Sequence, residues 1–477
     1  MTISQDAYHP DYLLNQDKWQ ANHDAVNDKI KDKKEKYLPI PGKNPHSGNQ
    51  EEQAFIKYQY DTVVHPLAVF YNWCRPTLDA ILGAIYRKPA KVHFNETDDE
   101  SVLDYLKFNA DGKGNGLEQI SRQCLGSQWS FGRGGYLIVW PDGINGSPNR
   151  ERYLNGDPAP RIVYYSGRNI INWDTDYIRG EEVLSYLALR EVNVERINGT
   201  SQLVETIITY ELDENGHVIY SIEKDLESEI VETGEVIKAG KPATKIPFHL
   251  AGADNNDWSI DYAPQTALTE LNLLHYKMFS RDMHQRWAAG QAKLVIDIGT
   301  DENSAEYFDS CNGVIRHGSL QNIVTMGGNA SYISPSTDNL LSETPAQIEE
   351  KAIALAANLM SESTNETATA ARIRNGGSTS RMAILACNNE EALTNAIKDL
   401  AGYLGVDAED IKFSLDKEYD EDKLTATEMK ELAGLVLQGV FPERSLYELQ
   451  KKYGYTHYET YEDWKEDVSQ QDLLGGM

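Results

Sequence analysis

His275 and His284 are the nearest approach in this sequence to a pair of metal ligands. Nine helical positions turn the backbone through about 900°, so the two rings point to opposite sides and do not share an ion. Adjacent carboxylates (Asp98-Asp99, Glu349-Glu350, Glu390-Glu391) are the raw material of acid–base or metal-assisted hydrolysis. Among 74 acidic residues such pairs arise freely, and each reads as a solvated face. Cys74, Cys124, Cys311 and Cys387 make no CxxC pair and have no matching histidine spacing, which points to buried thiols in a reducing compartment. Gly132-Arg133-Gly134-Gly135 comes before a strand pattern, the reverse of the dinucleotide-binding order, and reads as a tight approach of backbone to that strand. Asp111-Gly-Lys-Gly-Asn-Gly116 lacks the carboxylate spacing of a calcium loop. No GxxxxGK[ST], GxSxG or HExxH is present. The sequence offers no catalytic residue, no cofactor-binding residue and no metal ligand, and the expectation is a protein that is not an enzyme and carries no cofactor.

A different kind of chemistry is available in Ser361–Arg381, SESTNETATAARIRNGGSTSR. The segment is small and hydroxyl-rich, yet it interrupts two strong helical patterns. A connection of ~15 residues or more is usually functional or disordered.

The elements around it fall in a definite order. Residues 1–50 read as an N-terminal arm with little core of its own. From Ala54 to Lys88 the apolar steps are helical, and Lys88-Pro89 ends them. A shorter helix is expected over Glu100–Phe108. Buried or alternating runs then follow to about Leu250, including Tyr136–Trp140 and VETIITYEL, as in an α+β region. A long helix is predicted over Pro264–Gly290, with Leu268, Leu271, His275 and Phe279 on its stripe. After a small strand-and-turn segment, Thr344 and Pro345 announce a second helix carrying Ile348, Leu355 and Leu359. A third helix runs through Leu385–Leu404, a strand covers IKFSLDKEY, and the tail is helical and acidic. No apolar run approaches the ~18 residues of a membrane span, and MTISQDAYHPDYLLNQDKWQ has no secretory-signal pattern. The net charge of −29 disfavours a protein that grips nucleic acid by its backbone.

This order resembles that of the portal (connector) proteins of tailed bacteriophages. The local sequence is similar to one phage portal-like family along nearly the whole chain, through HPDYLLNQDKW (His9–Trp19), KYLPIPG (Lys36–Gly42), YNWCRPTLDAILGAIYRKP (Tyr71–Pro89), GRNIINW (Gly167–Trp173), KIPFHLAG (Lys245–Gly252) and ETATAARIRNGGSTSRMA (Glu366–Ala383). The fold the resemblance implies is α+β with a portal-like architecture: an α/β wing, a helical stem, a small β-containing clip and a helical crown. Its parts would be the arm (1–50), wing (51–260), stem helix (261–290), clip (291–337), second stem helix (338–360), tunnel loop (361–377), wing helix and strand (378–420), then crown and C-terminal tail (421–477).

The function it implies is structural. About twelve copies would form a ring at one capsid vertex, assembled in the host cytoplasm. That ring would carry double-stranded DNA in and out, and would dock the terminase large subunit, the head–tail adaptor, and the major capsid and scaffolding proteins, with no membrane involved. In the tunnel loop, Ser363, Thr364, Asn365, Glu366 and Thr367 would exchange hydrogen bonds with phosphate or water. Arg372 and Arg374 would touch phosphate or pair with a neighbouring subunit. Leu268, Leu271, His275, Phe279, Ile348, Leu355 and Leu359 would pack the stem. Twelvefold repetition multiplies every inward cation, so few, localised positive charges suit a conduit, since ~6–10 phosphate contacts already bind DNA firmly. The alternatives are another head–tail structural protein or a metal-dependent carboxylate hydrolase.

Overall fold

The computed structural model describes residues 7–40, 50–94, 103–139, 159–178, 180–197, 199–224, 229–238, 241–290, 293–296, 330–333, 347–352, 368–404 and 408–416. In the last sixty residues it describes 430, 432, 434–436, 442–452, 456, 458 and 460–465. The chain divides into two units, Met1–Lys417 and Glu418–Met477.

The first unit begins with α1 (Pro10–Val26). Pro10 sits in its first turn, and the His9 ring accepts a hydrogen bond from the Asp11 N–H. Within the stretch 1–50 expected as an arm, the described residues 7–40 pack into the body. Tyr12 and Trp19 enter one apolar core, while Ala25, Ile30, Tyr37, Leu38 and Ile40 enter another.

The helix expected over 54–88 is interrupted. α2 (Gln50–Gln59) passes into one π-helical stretch, Tyr60–Val64, and a short turn at His65–Leu67 before the chain extends at Ala68. Pro66 cannot donate to the carbonyl four residues back, so the register is lost there. α3 (Cys74–Ile85) then buries Leu78, Ile81, Leu82 and Ile85 at helical spacing. Of the helix expected over Glu100–Phe108, the described residues show the short stretch Leu106–Asn109, with Leu103 helical as well and a turn at Asp104-Tyr105 between them.

Two short strands lie far apart in sequence: β1 (Lys91–His93) pairs antiparallel with the strand at Lys412–Ser414. The 15-residue α4 (Leu117–Phe131) has no counterpart in the sequence reading. Its start is held by the Gly116 N–H donating to Gln119 Oε1 at 3.0 Å, and Gly132 ends it at φ 77°. Only glycine fits there: a Cβ would meet the Asp261 carbonyl oxygen at 2.1 Å.

β2 (Arg133–Val139) pairs with β3 (Arg161–Ser166) on one side and, on the other, with the strand Phe248–Gly252. The expected tight approach is present, because a Cβ on Gly135 would lie 2.3 Å from the Phe248 ring. Next comes a five-stranded antiparallel meander, β4 (Ile170–Ile178), β5 (Glu181–Ile197), β6 (Thr200–Leu212), β7 (Val218–Lys224) and β8 (Glu229–Glu235). The small pair β9 (Ile237–Lys238) and β10 (Lys241–Pro242) leads to β11 (Phe248–Gly252). Leu137, Leu187, Leu189, Ile170 and Ile171 fill the core between these strands and α1.

α5 (Thr266–Gly290) follows, close to the expected bounds, with Leu268, Leu273 and Tyr276 packed in the second core. β12 (Lys293–Ile296) and β13 (Ala330–Ile333) pair antiparallel, and residues 347–352 are helical. α6 (Ala368–Leu404) is one helix of 37 residues that packs on β11, β2 and α4. It takes in Ala368–Gly377, which the sequence reading assigned to a loop. Its partner at the end is β14 (Lys412–Ser414), shorter than the alternating run IKFSLDKEY. The fold is thus mixed helix and sheet, of the α+β kind.

In the second unit α7 (Glu443–Lys452) carries Tyr447, which sits 5.6 Å from Trp464 and 5.7 Å from Tyr461 between ring centroids. Trp464 Nε1 donates to Gln450 at 3.0 Å, and Lys465 pairs with Glu443 at 2.9 Å.

Candidate functional site

Two long helices with β12–β13 between them are useful only if their ends are fixed. The polar residues that fix them are the best-defined chemistry in the described structure. At the start of α5, Gln265, Thr269 and Asn272 share one face by helical spacing, and all three are buried. Gln265 Nε2 donates to the Asn22 carbonyl at 2.9 Å, and its Oε1 accepts from Ser130 Oγ at 2.7 Å. Asn22 Nδ2 donates to the Ser130 carbonyl at 2.8 Å and to Thr266 Oγ1 at 3.1 Å. Two turns along, Asn272 Nδ2 donates to the Tyr71 carbonyl at 2.7 Å, and its Oδ1 accepts from the Trp73 N–H at 3.1 Å. α1, α4, α5 and the segment before α3 are thereby tied at one point.

α6 is held by a second set. Asn389 Nδ2 donates to the Ser121 carbonyl at 2.9 Å, and its Oδ1 accepts from the Tyr136 hydroxyl. Asn388 and Gln128 both donate to the Gly252 carbonyl, at 3.0 and 2.7 Å. Asn256 donates to the Asn388 carbonyl at 3.1 Å, and Arg381 pairs with Asp254. Buried amides of this kind position backbone, because leaving one unmade costs ~1–3 kcal/mol.

Arg133 is fully buried and lies 3.8 Å from the Trp173 ring centroid and 5.7 Å from that of Trp19. It donates to the Ile170 carbonyl at 3.2 Å, while its Nε and Nη1 have no partner among the described residues. His9 stacks on the other aromatic neighbour, with 3.9 Å between its ring and that of Trp173. Tyr12 donates to the Arg168 carbonyl at 2.9 Å, and Arg168 donates to Gln20 at 2.7 Å. The stretches His9–Trp19 and Gly167–Trp173, far apart in sequence, therefore meet.

Of the residues expected in the stem, Leu268 and His275 are buried on α5, and Leu271 and Phe279 are half-buried. His275 packs 4.8 Å from Trp73 and 5.6 Å from Phe279 between centroids, and its Nδ1 has no partner among the described residues. Burial lowers its pKa below the ordinary 6.5, with Glu349 pulling weakly the other way. His284 stacks instead on Trp287. Ile348 is buried in the 347–352 helix. Leu355, Leu359, Ser363, Thr364, Asn365, Glu366 and Thr367 lie outside the described residues. Arg372 and Arg374 fall on the first turns of α6 rather than in a loop.

Of the acidic pairs, Glu349-Glu350 is exposed, as a solvated face should be, whereas in Glu390-Glu391 the first is buried and accepts from the Leu415 N–H, and the second accepts from Asn256 at 3.0 Å. Among the described residues no three His, Cys, Asp or Glu side chains are grouped to hold a metal ion. The sequence reading missed Asn22, Gln128, Gln265, Asn272, Asn388 and Asn389. A polar side chain on an apolar stripe was the available signal.

Comparison with known proteins gives a family match over residues 264–404, to a family described as a domain of unknown function (DUF4055). That span runs from the start of α5 to the end of α6. No curated protein matches. Among solved structures, the chain is similar to one from the neck of the empty gene transfer agent (GTA) particle with C6 symmetry. The TM-score is 0.40 and the identity 13%, with 88% of this chain and 98% of that chain covered. A chain of the native GTA virion gives 0.38 and 13%, covering 86% and 95%. A chain of the native GTA neck with C12 symmetry gives 0.37 and 14%, covering 87% and 96%.

Proposed function

We propose that this chain is a portal subunit, one of about twelve in a ring at a capsid vertex through which double-stranded DNA is packaged and ejected. The observation that carries the reading is the order of parts around α5. An α+β body leads into one long helix, an antiparallel strand pair (β12 with β13), a helical stretch at 347–352, and then a helix that returns to pack on the body's own β11–β2 edge. That order, with the ordered run of similar segments from His9 to Ala383, is what a wing, stem, clip, stem and wing helix require. The buried amides at Gln265 and Asn389 supply the rigid seating such helices need. The terminase large subunit and head–tail adaptor would dock on the segment that contains β12 and β13. Ser363 to Thr367, with Arg372 and Arg374, would face the DNA. Leu268, Leu271, His275, Phe279, Ile348, Leu355 and Leu359 would pack the stem. The major capsid and scaffolding proteins would meet the outside of the ring.

The test is the native mass by light scattering, with negative-stain images of the same fraction. Rings of about twelve subunits around a hole wide enough for a duplex are expected. A chain that stays monomeric when scaffolding and capsid protein are supplied would overturn the assignment.

A further inference from the structure

One cleft on the first unit runs against the charge of the whole molecule. It has a volume of about 580 Å³ and is walled by Phe248, Trp258 and Tyr403, with Lys238, Lys245 and Lys398 around it. Its carboxylates are already engaged. Asp399 pairs with Lys238 and lies 3.4 Å from His249 Nε2, and Glu182 accepts from the Thr175 hydroxyl at 2.8 Å. Lys238 also lies 4.9 Å from the Tyr403 ring centroid. Lys245 is exposed and Lys398 half-exposed, and neither forms an ion pair among the described residues. The cleft is therefore lined by two lysines without an ion pair among the described residues, together with three aromatic side chains. Its size is that of a pocket which takes a few side chains.

The rest of the chain has the opposite sign, with 74 acidic against 45 basic side chains. Two copies brought side by side repel, and a closed ring forms only if some local contact reverses that repulsion. We propose that this cleft is that contact: it receives an acidic segment of a second copy, whose carboxylates meet Lys245 and Lys398 while an apolar or aromatic side chain rests on Phe248 and Trp258. The choice of a second copy rests on the ring reading and on charge complementarity. An interface between unlike patches of identical subunits is the kind that generates rings.

The test is a charge reversal on the full chain, Lys245→Glu with Lys398→Glu, compared with Lys18→Glu with Lys113→Glu, which makes the same change in net charge elsewhere. Circular dichroism checks folding, and the milder Lys245→Gln with Lys398→Gln serves if the reversal does not fold. The concentration at which half the subunits are in rings is expected to rise roughly tenfold or more for the cleft variant, the equivalent of losing two modest ion pairs. The control pair is expected to shift it far less. A peptide of repeating Glu-Tyr-Glu is expected to inhibit assembly of the unmodified chain and not to bind the cleft variant. Rings that form equally well in both variants would overturn the cleft assignment and leave the ring intact. A chain that never assembles would instead sink the ring reading. Peptide binding by such a chain would overturn the second-copy assignment in favour of another acidic protein.

Discussion

His275 shows how one side chain in the anchorage couples to solution conditions. Packed against Trp73 and Phe279, it is kept neutral by burial, so its folded pKa lies below the 6.5 of an unfolded chain. As the pH falls through about 6.5 the unfolded state takes up the proton first, and stability drops until the folded pKa is reached. His9 and His23 shift in the same direction, again chiefly through burial. Urea unfolding at pH 7 and pH 5 should therefore show a loss of stability on acidification. His275→Phe keeps the ring shape without the charge, and should show a smaller loss. Equal losses in the two proteins would show that His275 does not contribute. Arg133 poses the complementary question. Its stacking on Trp173 and Trp19 is worth ~0.5–2 kcal/mol, while a buried charge without a carboxylate costs several. Arg133→Met is therefore expected to leave the urea midpoint unchanged or raised. A loss of more than about 3 kcal/mol would mean that the guanidinium is a net stabiliser.

Among the elements, α6 is the one whose extent differs most from the sequence pattern. Its second half, with Leu385, Leu393, Ile397 and Leu400 buried, is legible from apolar spacing alone. Its first turns are not, because Gly376-Gly377-Ser-Thr-Ser has low helix propensity and reads as a break. Gly376→Ala with Gly377→Ala should stabilise the isolated chain by roughly 0.5–1 kcal/mol for each glycine and so raise its urea midpoint. A fall in the midpoint would show that these residues do not rest as helix. α4 was illegible for another reason. Its apolar residues, Leu117, Ile120, Cys124 and Leu125, are interleaved with Ser121, Ser127, Gln128 and Ser130, which are buried as well. The apolar stripe of α5 follows from periodicity, whereas the buried amides do not. Asn272 or Asn389 on a helix looks like surface until its carbonyl partner, about two hundred residues away or more, is in place.

For the whole molecule, the net charge of −29 sets how copies meet. Beyond a Debye length of about 8 Å at physiological ionic strength their repulsion is screened, while pairs buried at a contact are screened much less. Raising the salt from low to about 0.15 M should therefore increase the fraction of subunits in the proposed rings, read by sedimentation at fixed protein concentration. A steady fall in that fraction would mean that exposed attractions, not repulsion, dominate association.

α6 also has a mechanical consequence. Every contact described for it above falls between Arg381 and Leu404, where asparagines, an arginine and apolar side chains clamp it to the body. Ala368–Ser380 continues the same rod for about 20 Å at ~1.5 Å per residue. A rod with a fixed fulcrum is a lever. A swing of about 10° at the clamp moves the far end by about 3 Å, and a load applied at Ala368 returns as torque on β11 and β2. The gearing between whatever touches that end and the sheet is set by helix length, so inserting one turn before Arg381 would lengthen the arm by about 5.4 Å and also preserve its face.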